Sequence, residues 1–143
     1  MINNKEEENL YTILYISTIN KDYADRLPDI LTKFREMNSK NNITGLILYY
    51  DGNIIQCIEG IKENVHCLYN NICNDPRHFN IIKLIDEKIT ARNFLDWDLG
   101  FKEITYKEFL KFSLDKLVSA YDNKKIKIFF QQFLNSFVYV YKH

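Results

Sequence analysis

The chain has 143 residues, the length of one domain or of one domain with an added helical segment, and can bury about 70% of its unfolded surface without disulfides or metals. Nineteen Lys and Arg balance nineteen Asp and Glu, and the basic residues are scattered, so no net field draws the chain to nucleic acid or to an anionic membrane. No apolar run reaches the length of a membrane span, and residues 1–9 lack a signal-peptide core, so a cytoplasmic protein is expected.

Residues 1–9 read as a frayed end, followed by a first strand, Leu10 to Ser17, with both faces apolar and Tyr15 at its middle. After the polar stretch 18–25 a helix starts near Pro28, which fits only a first helical turn because it has no N–H to donate. Leu27, Ile30, Leu31 and Phe34 form its buried stripe. Eleven residues make close to three turns, so Asn38 falls under Leu27 on that stripe. It is either an amide directed at the interior or a helix-end residue bonding loop backbone; Met37 beside it has a packing role.

Leu46 to Tyr50 and Asn53 to Gly60 are paired strands around Asp51-Gly52, a turn that needs φ > 0 at both positions. With a period of two, Ile54, Gln56 and Ile58 share one face, where an unpaired amide would cost about 1 to 3 kcal/mol. Gln56 therefore needs a partner: a protein group, the commoner case, or a ligand with donors and acceptors at its edge. A helix over 62–74 carries Val65, Leu68, Tyr69 and Ile72 and is stopped by Asn74-Asp75-Pro76. His78 to Lys88 holds a fourth strand around Ile81 to Ile85, and Leu99 to Ile104 suggests a fifth.

The order βαββαβ plus one strand predicts an α+β, ferredoxin-like fold with two helices on one face of the sheet. The tail would cover the other face. Thr105 to Glu108 has capping-box spacing, and Leu110, Leu114, Leu117, Val118 and Tyr121 line the helix that follows. A second helix, Lys124 to Tyr141, is apolar around most of its circumference. The expected organisation is a domain over 10–104 and a C-terminal helical extension over 105–143, its two helices packed on the sheet.

The chain carries no G-x-S-x-G, H-E-x-x-H, P-loop or G-x-G-x-x-G pattern. His66, His78 and His143 are too dispersed for a metal site; His78 reads first as a solvated turn residue and second as a neighbour of a ligand. Cys57, Cys67 and Cys73 are odd in number, lack C-x-x-C spacing and are expected as small core residues. What stays distinctive is Tyr15, Asn38 and Gln56, a phenol and two amides directed at the layer between sheet and helices.

Several short motifs occur in one order: Tyr15-Ile16-Ser17, then Asn38 six residues before the Thr of Ile43-Thr44-Gly45, then Gln56-Cys57-Ile58-Glu59-Gly60. Asp75, Arg77 and His78 follow, and then Arg92, Phe94 and Trp97 at R-x-F-x-x-W spacing. In this set the chain from about Leu10 to Phe101 resembles the BLUF domains, blue-light sensors that use flavin adenine dinucleotide (FAD). It departs from them at Leu99, where the family usually has a methionine.

The resemblance implies a non-covalent FAD between the two core helices. Asn38 would bond its pyrimidine edge, Gln56 its N5 and neighbouring carbonyl, and Arg77 and His78 would lie toward the ribityl-phosphate side. Tyr15 would lose and regain an electron and a proton in blue light, leaving Gln56 rotated or tautomerised, a change an amide allows because it both donates and accepts. Trp97 and Leu99 would relay that change along the fifth strand. The chain is thus expected to be a photoreceptor and not an enzyme, with no metal. With no effector domain in the sequence, its output is expected through a partner protein or a change of assembly, and the broad apolar surface of the last helix suggests a homo-oligomer. The alternative is a ferredoxin-like scaffold domain that has lost flavin.

Overall fold

The computed structural model describes residues 9–95, 97–110 and 141–142. Strand β1 is Leu10–Ile19, two residues longer than its apolar run suggested. The polar stretch after it forms a short 3-10 helix, Lys21–Arg26, entered through Asn20, whose side-chain oxygen accepts from the Asp22 amide at 3.1 Å. Helix α1 follows directly as Leu27–Lys40, with Pro28 in its first turn. Ile30, Leu31, Phe34 and Asn38 are its buried face.

The chain turns back through β2, Thr44–Tyr50, and β3, Asn53–Ile61. Asp51 and Gly52 have φ of 43° and 85°, the left-handed pair the Asp-Gly sequence called for. Helix α2 is Lys62–Cys73, and β4 is His78–Lys88. Strand β5, Trp97–Glu103, starts two residues before the predicted Leu99.

The sheet order is β4-β1-β3-β2-β5, with a two-residue β6, Tyr141–Lys142, on the outer edge of β5. Neighbours are antiparallel except β2 and β5, which run parallel. This is the expected ferredoxin-like α+β arrangement with its added strand. Gly45 fixes how closely β2 and β3 approach, since a Cβ there would stand 2.2 Å from the Cys57 carbonyl oxygen.

Pairing places Ile13, Tyr15, Ser17, Ile54, Gln56 and Ile58 on the helix-covered face. Toward α2, Ile13, Tyr15 and Ile58 pack with Val65, Leu68 and Ile72. Toward α1, Ile19, Ile47, Ile54 and Leu99 pack with Ile30, Leu31 and Phe34. The other face holds a third cluster, Leu14, Leu46, Leu48, Ile55, Cys57 and Ile85, closed by Phe94, Ile104 and Phe109.

Thr105 and Glu108 form the expected capping box: the Thr105 amide donates to the Glu108 carboxylate at 2.9 Å and the Glu108 amide to the Thr105 hydroxyl at 3.2 Å. It opens a helical turn over 106–110. The rest of that helix and most of the second tail helix lie outside the described residues. One end of the latter is corrected: Tyr141 belongs to β6, opposite Leu99, and not to a helix. Phe137 to Tyr141 are all aromatic or β-branched, a composition that suits a strand as well as a helix stripe, and the edge of β5 offers unpaired backbone groups. The cysteines also need correction. Cys57 is buried, whereas Cys67 and Cys73 are exposed: Cys67 lies on the side of α2 away from its Val65, Leu68 and Ile72 stripe, and Cys73 is the last residue of the helix, beside Tyr69.

Candidate functional site

Tyr15 and Gln56 are directly opposed on neighbouring antiparallel strands. Their side chains leave the sheet on the same face, and the Tyr15 hydroxyl donates to Gln56 Oε1. Both are buried, at 0% and 1% exposure. The amide thus has the protein partner its position demanded, but only for its oxygen: Gln56 Nε2 makes no hydrogen bond among the described residues. Burial, with the nearby Tyr69 adding to it, pushes the Tyr15 phenol well above its ordinary pKa. The hydroxyl is therefore fully protonated and acts as the donor, which orients the amide with its oxygen toward the ring.

Asn38 lies on the buried face of α1 at 1% exposure. Its backbone carbonyl accepts from the Ile43 amide at 2.8 Å, which ties the helix end to the start of β2. Met37 packs against the Tyr15 cluster, in keeping with a packing role. Tyr69 of α2 meets the Tyr15 ring edge-on with centroids 5.7 Å apart.

His78 is not a solvated turn residue. It opens β4 opposite Ile19 and is 6% exposed. Its Nε2 lies 2.8 Å from the Ile72 carbonyl, which can only accept, so Nε2 carries the proton. Nδ1 is then the acceptor for the Ser17 hydroxyl at 2.9 Å. Burial lowers the His78 pKa and keeps the ring in this neutral form. A turn that reads as exposed in sequence is roofed here by Phe34 and Tyr15, whose rings both lie 6.4 Å from the imidazole.

Arg77 sits at the rim. Its Nε and backbone amide both donate to Asp75 at 2.9 Å, and its guanidinium lies 5.4 Å from the Phe34 ring centroid. Burial pushes the Asp75 carboxyl up, but the Arg77 hydrogen bonds outweigh it and hold the group below the ordinary carboxylate range. Arg77 also lines a cleft of about 370 Å³ with Tyr23, Arg26, Asp29, Ile30 and Lys33 along the outer side of α1.

Leu99 is fully buried among Ile47, Ile54 and Phe34. Ile54 is two residues from Gln56 on the same face, and Ile47 is its direct partner on β2. Gln56 and Leu99 are thus joined by packing and by no hydrogen bond. Trp97 begins β5, opposite Lys142.

Tyr15, Asn38, Gln56 and His78 are brought into one layer, with Arg77 above it and Leu99 at its side. Sequence reasoning met Ser17 only as part of a motif and Tyr69 only as part of a helix stripe, and gave neither a place at the site. Ser17 was accessible to it, since a residue two positions from Tyr15 shares its face. Tyr69 was not, because its meeting with Tyr15 depends on how α2 lies across the sheet. Among the described residues no cluster of His, Cys, Asp and Glu could hold a metal, and no helix is long and apolar enough to cross a membrane.

A family model described as BLUF, sensors of blue-light using FAD, matches residues 10–100. A blue light- and temperature-regulated antirepressor of Escherichia coli is 33% identical over 86 residues, which are 59% of this chain and 21% of that protein. A photoactivated adenylate cyclase subunit beta of Euglena longa is 30% identical over 95 residues, 65% of this chain and 11% of that one. The chain thus spans about a fifth or less of these relatives. Among solved structures, the photo-activated state of BlsA superposes with a TM-score of 0.72 at 28% identity, covering 86% of this chain and 93% of that one. The dark state of BlrB, a BLUF protein, gives 0.70 at 28% identity, covering 90% and 98%.

Proposed function

The chain belongs to the BLUF family, sensors of blue light using FAD, and from that premise we propose that Tyr15 and Gln56 are the pair whose hydrogen bonding records the absorption of light. The observation that carries this reading is their bond: a buried phenol donates to a buried amide oxygen beneath the helices.

The residues fit a flavin. Two buried amides, Asn38 and Gln56, offer donors and acceptors to a heteroaromatic edge, Gln56 Nε2 lacks a partner among the described residues, and the surrounding layer of Ile13, Ile43, Ile58 and Leu68 is apolar. Asn38 and Gln56 would hold the ring. Arg77, fixed by Asp75, and His78, fixed by Ser17, would border the ribityl-phosphate arm.

When bound, the flavin supplies a light-driven one-electron oxidation. Tyr15 is suited to answer it. Its raised pKa disfavours loss of the proton before the electron, and the existing bond gives the proton a path toward Gln56 once the electron has left. Their return restores the phenol and leaves the redox balance unchanged. Gln56 is meanwhile free to rotate, with Nε2 facing Tyr15 and Oε1 turned away, or to persist as its tautomer. No substrate is consumed, so the unit acts as a sensor and not as an enzyme.

In this reading 10–104 is the sensing unit and 105–143 the output segment, acting through a partner protein or a homo-oligomer. The relay runs from Gln56 through Ile54 and Ile47 to Leu99 and Trp97. Leucine cannot accept a hydrogen bond as a thioether weakly can, so the relay works by packing. Absorption spectroscopy tests the core of the proposal: a yellow protein with a small reversible red shift in blue light, abolished by Tyr15→Phe and by Gln56→Ala. A normal shift in Tyr15→Phe refutes the assigned pair.

A further inference from the structure

Glu59 lies three residues beyond Gln56 on β3 and so belongs to the opposite face of the sheet. It is 0% exposed, a carboxylate in the apolar layer that holds Cys57 and Phe94. Oε1 accepts from the backbone amides of Asn93 and Phe94, both at 2.9 Å. Oε2 accepts from the Asn93 amide at 2.9 Å and from its side-chain nitrogen at 3.1 Å. Burial drives the Glu59 pKa up, while these amides and the Arg92 charge oppose the rise.

Arg92 reaches back from the same segment. Its Nη1 donates to the Thr44 hydroxyl at 3.1 Å and to the Glu59 carbonyl at 3.4 Å, and its Nη2 to the Asn42 carbonyl at 2.9 Å. Phe94 then plugs into the cluster of Leu14, Leu48 and Ile55. Between them, Glu59 and Arg92 tie residues 92–94 to β3 and to the start of β2. Three residues after Phe94, β5 begins at Trp97.

We propose that Glu59 and Arg92 are positioning residues of the sensor, a clasp that makes the entry of β5 move with β3 and so gives the change at Gln56 a second route to the output strand. The first route is the packing of Leu99 under α1; this one runs through the other face. The proposal rests on the photoreceptor reading above. A carboxylate and a guanidinium suit the task because their bonds are directional and multiple, so a displaced strand drags the segment instead of sliding past it. An apolar plug alone would let the faces slip.

The test uses Glu59→Gln and Arg92→Lys in the flavin-loaded full chain, with residue-resolved hydrogen exchange in dark and light beside the absorption shift. Glu59→Gln turns the oxygen that meets the Asn93 amide and side chain into a donor and removes the charge behind the bonds from the Asn93 and Phe94 amides, whose dark-state protection is expected to fall at least tenfold. Arg92→Lys keeps the charge and loses the fork. Both variants are expected to keep the wild-type red shift, because neither side chain lies on the Tyr15 face, and to lose more than half of the light-induced exchange change across 97–103. Retention of that change with the 93 and 94 amides opened overturns the clasp. So does loss of the red shift in Glu59→Gln, which would put the residue in the photochemistry. A wild-type chain that binds flavin but shows no shift refutes the photoreceptor reading itself, and the relay with it.

Discussion

The bond between Tyr15 and Gln56 is open to a double-mutant cycle. Tyr15→Phe removes one oxygen and preserves the ring that packs on Tyr69, so its cost is that of leaving Gln56 Oε1 without a donor at 1% exposure. A stranded buried acceptor costs about 1 to 3 kcal/mol. At about 2.1 cal/mol/K per residue of unfolding entropy, a chain of 143 residues loses roughly 3 °C per kcal/mol, so Tm should fall by about 3 to 10 °C. Gln56→Met keeps the length of the side chain and strands the phenol instead, at a similar cost. The double variant contains neither polar group and should sit within about 1 kcal/mol of wild type, since replacing both partners by apolar groups is nearly neutral. Urea denaturation of all four proteins without flavin measures the coupling, expected at about 2 to 6 kcal/mol, the sum of the two single costs when the double is neutral. Additivity within about 0.5 kcal/mol would refute the claim that these groups satisfy each other.

Asn38→Ala should weaken flavin retention much more than the fold, because the backbone bond that ties α1 to Ile43 survives the substitution; equal losses in melts with and without flavin would refute this. His78 has a depressed pKa, so the folded state resists its protonation and stability falls as pH drops below the unfolded value near 6.5. Each pH unit in that range costs up to about 1.4 kcal/mol until the folded pKa is reached. Glu59, with its raised pKa, acts in the opposite direction near its own range, so the His78 part is read as the difference between wild type and His78→Gln in melts from pH 7.5 to 5. Gly45→Ala should cost about 3 kcal/mol or prevent folding, since the new Cβ meets backbone and not a movable side chain. Leu99→Met, a volume-conserving change, should cost under about 1.5 kcal/mol and leave the red shift intact, and any gain in light-dependent exchange over 97–110 would come from the thioether.

The local elements were written in the chain in terms that survive any tertiary context. Asp51-Gly52 can hardly do other than make a tight hairpin, Pro28 can only begin a helix, and Thr105 with Glu108 caps one. Period-two and period-3.6 patterns put Gln56 and Asn38 on apolar faces, and the order of elements gave the sheet, because few arrangements of βαββαβ bury both helices. The short motifs gave the family. The tertiary structure decided which groups meet. That Tyr15 stands opposite Gln56 is a matter of register between β1 and β3, and a slip of one residue would have sent the phenol to the other face. His78 was misjudged because its turn is closed over by residues from α1 and β1, and Tyr141 because an exposed strand edge lay far away in sequence. The clasp of Glu59 and Arg92 is the clearest instance. Nothing local shows that a carboxylate 33 residues upstream holds the amides beside that arginine, because the bonds exist only once β3, β2 and the segment before β5 have come together.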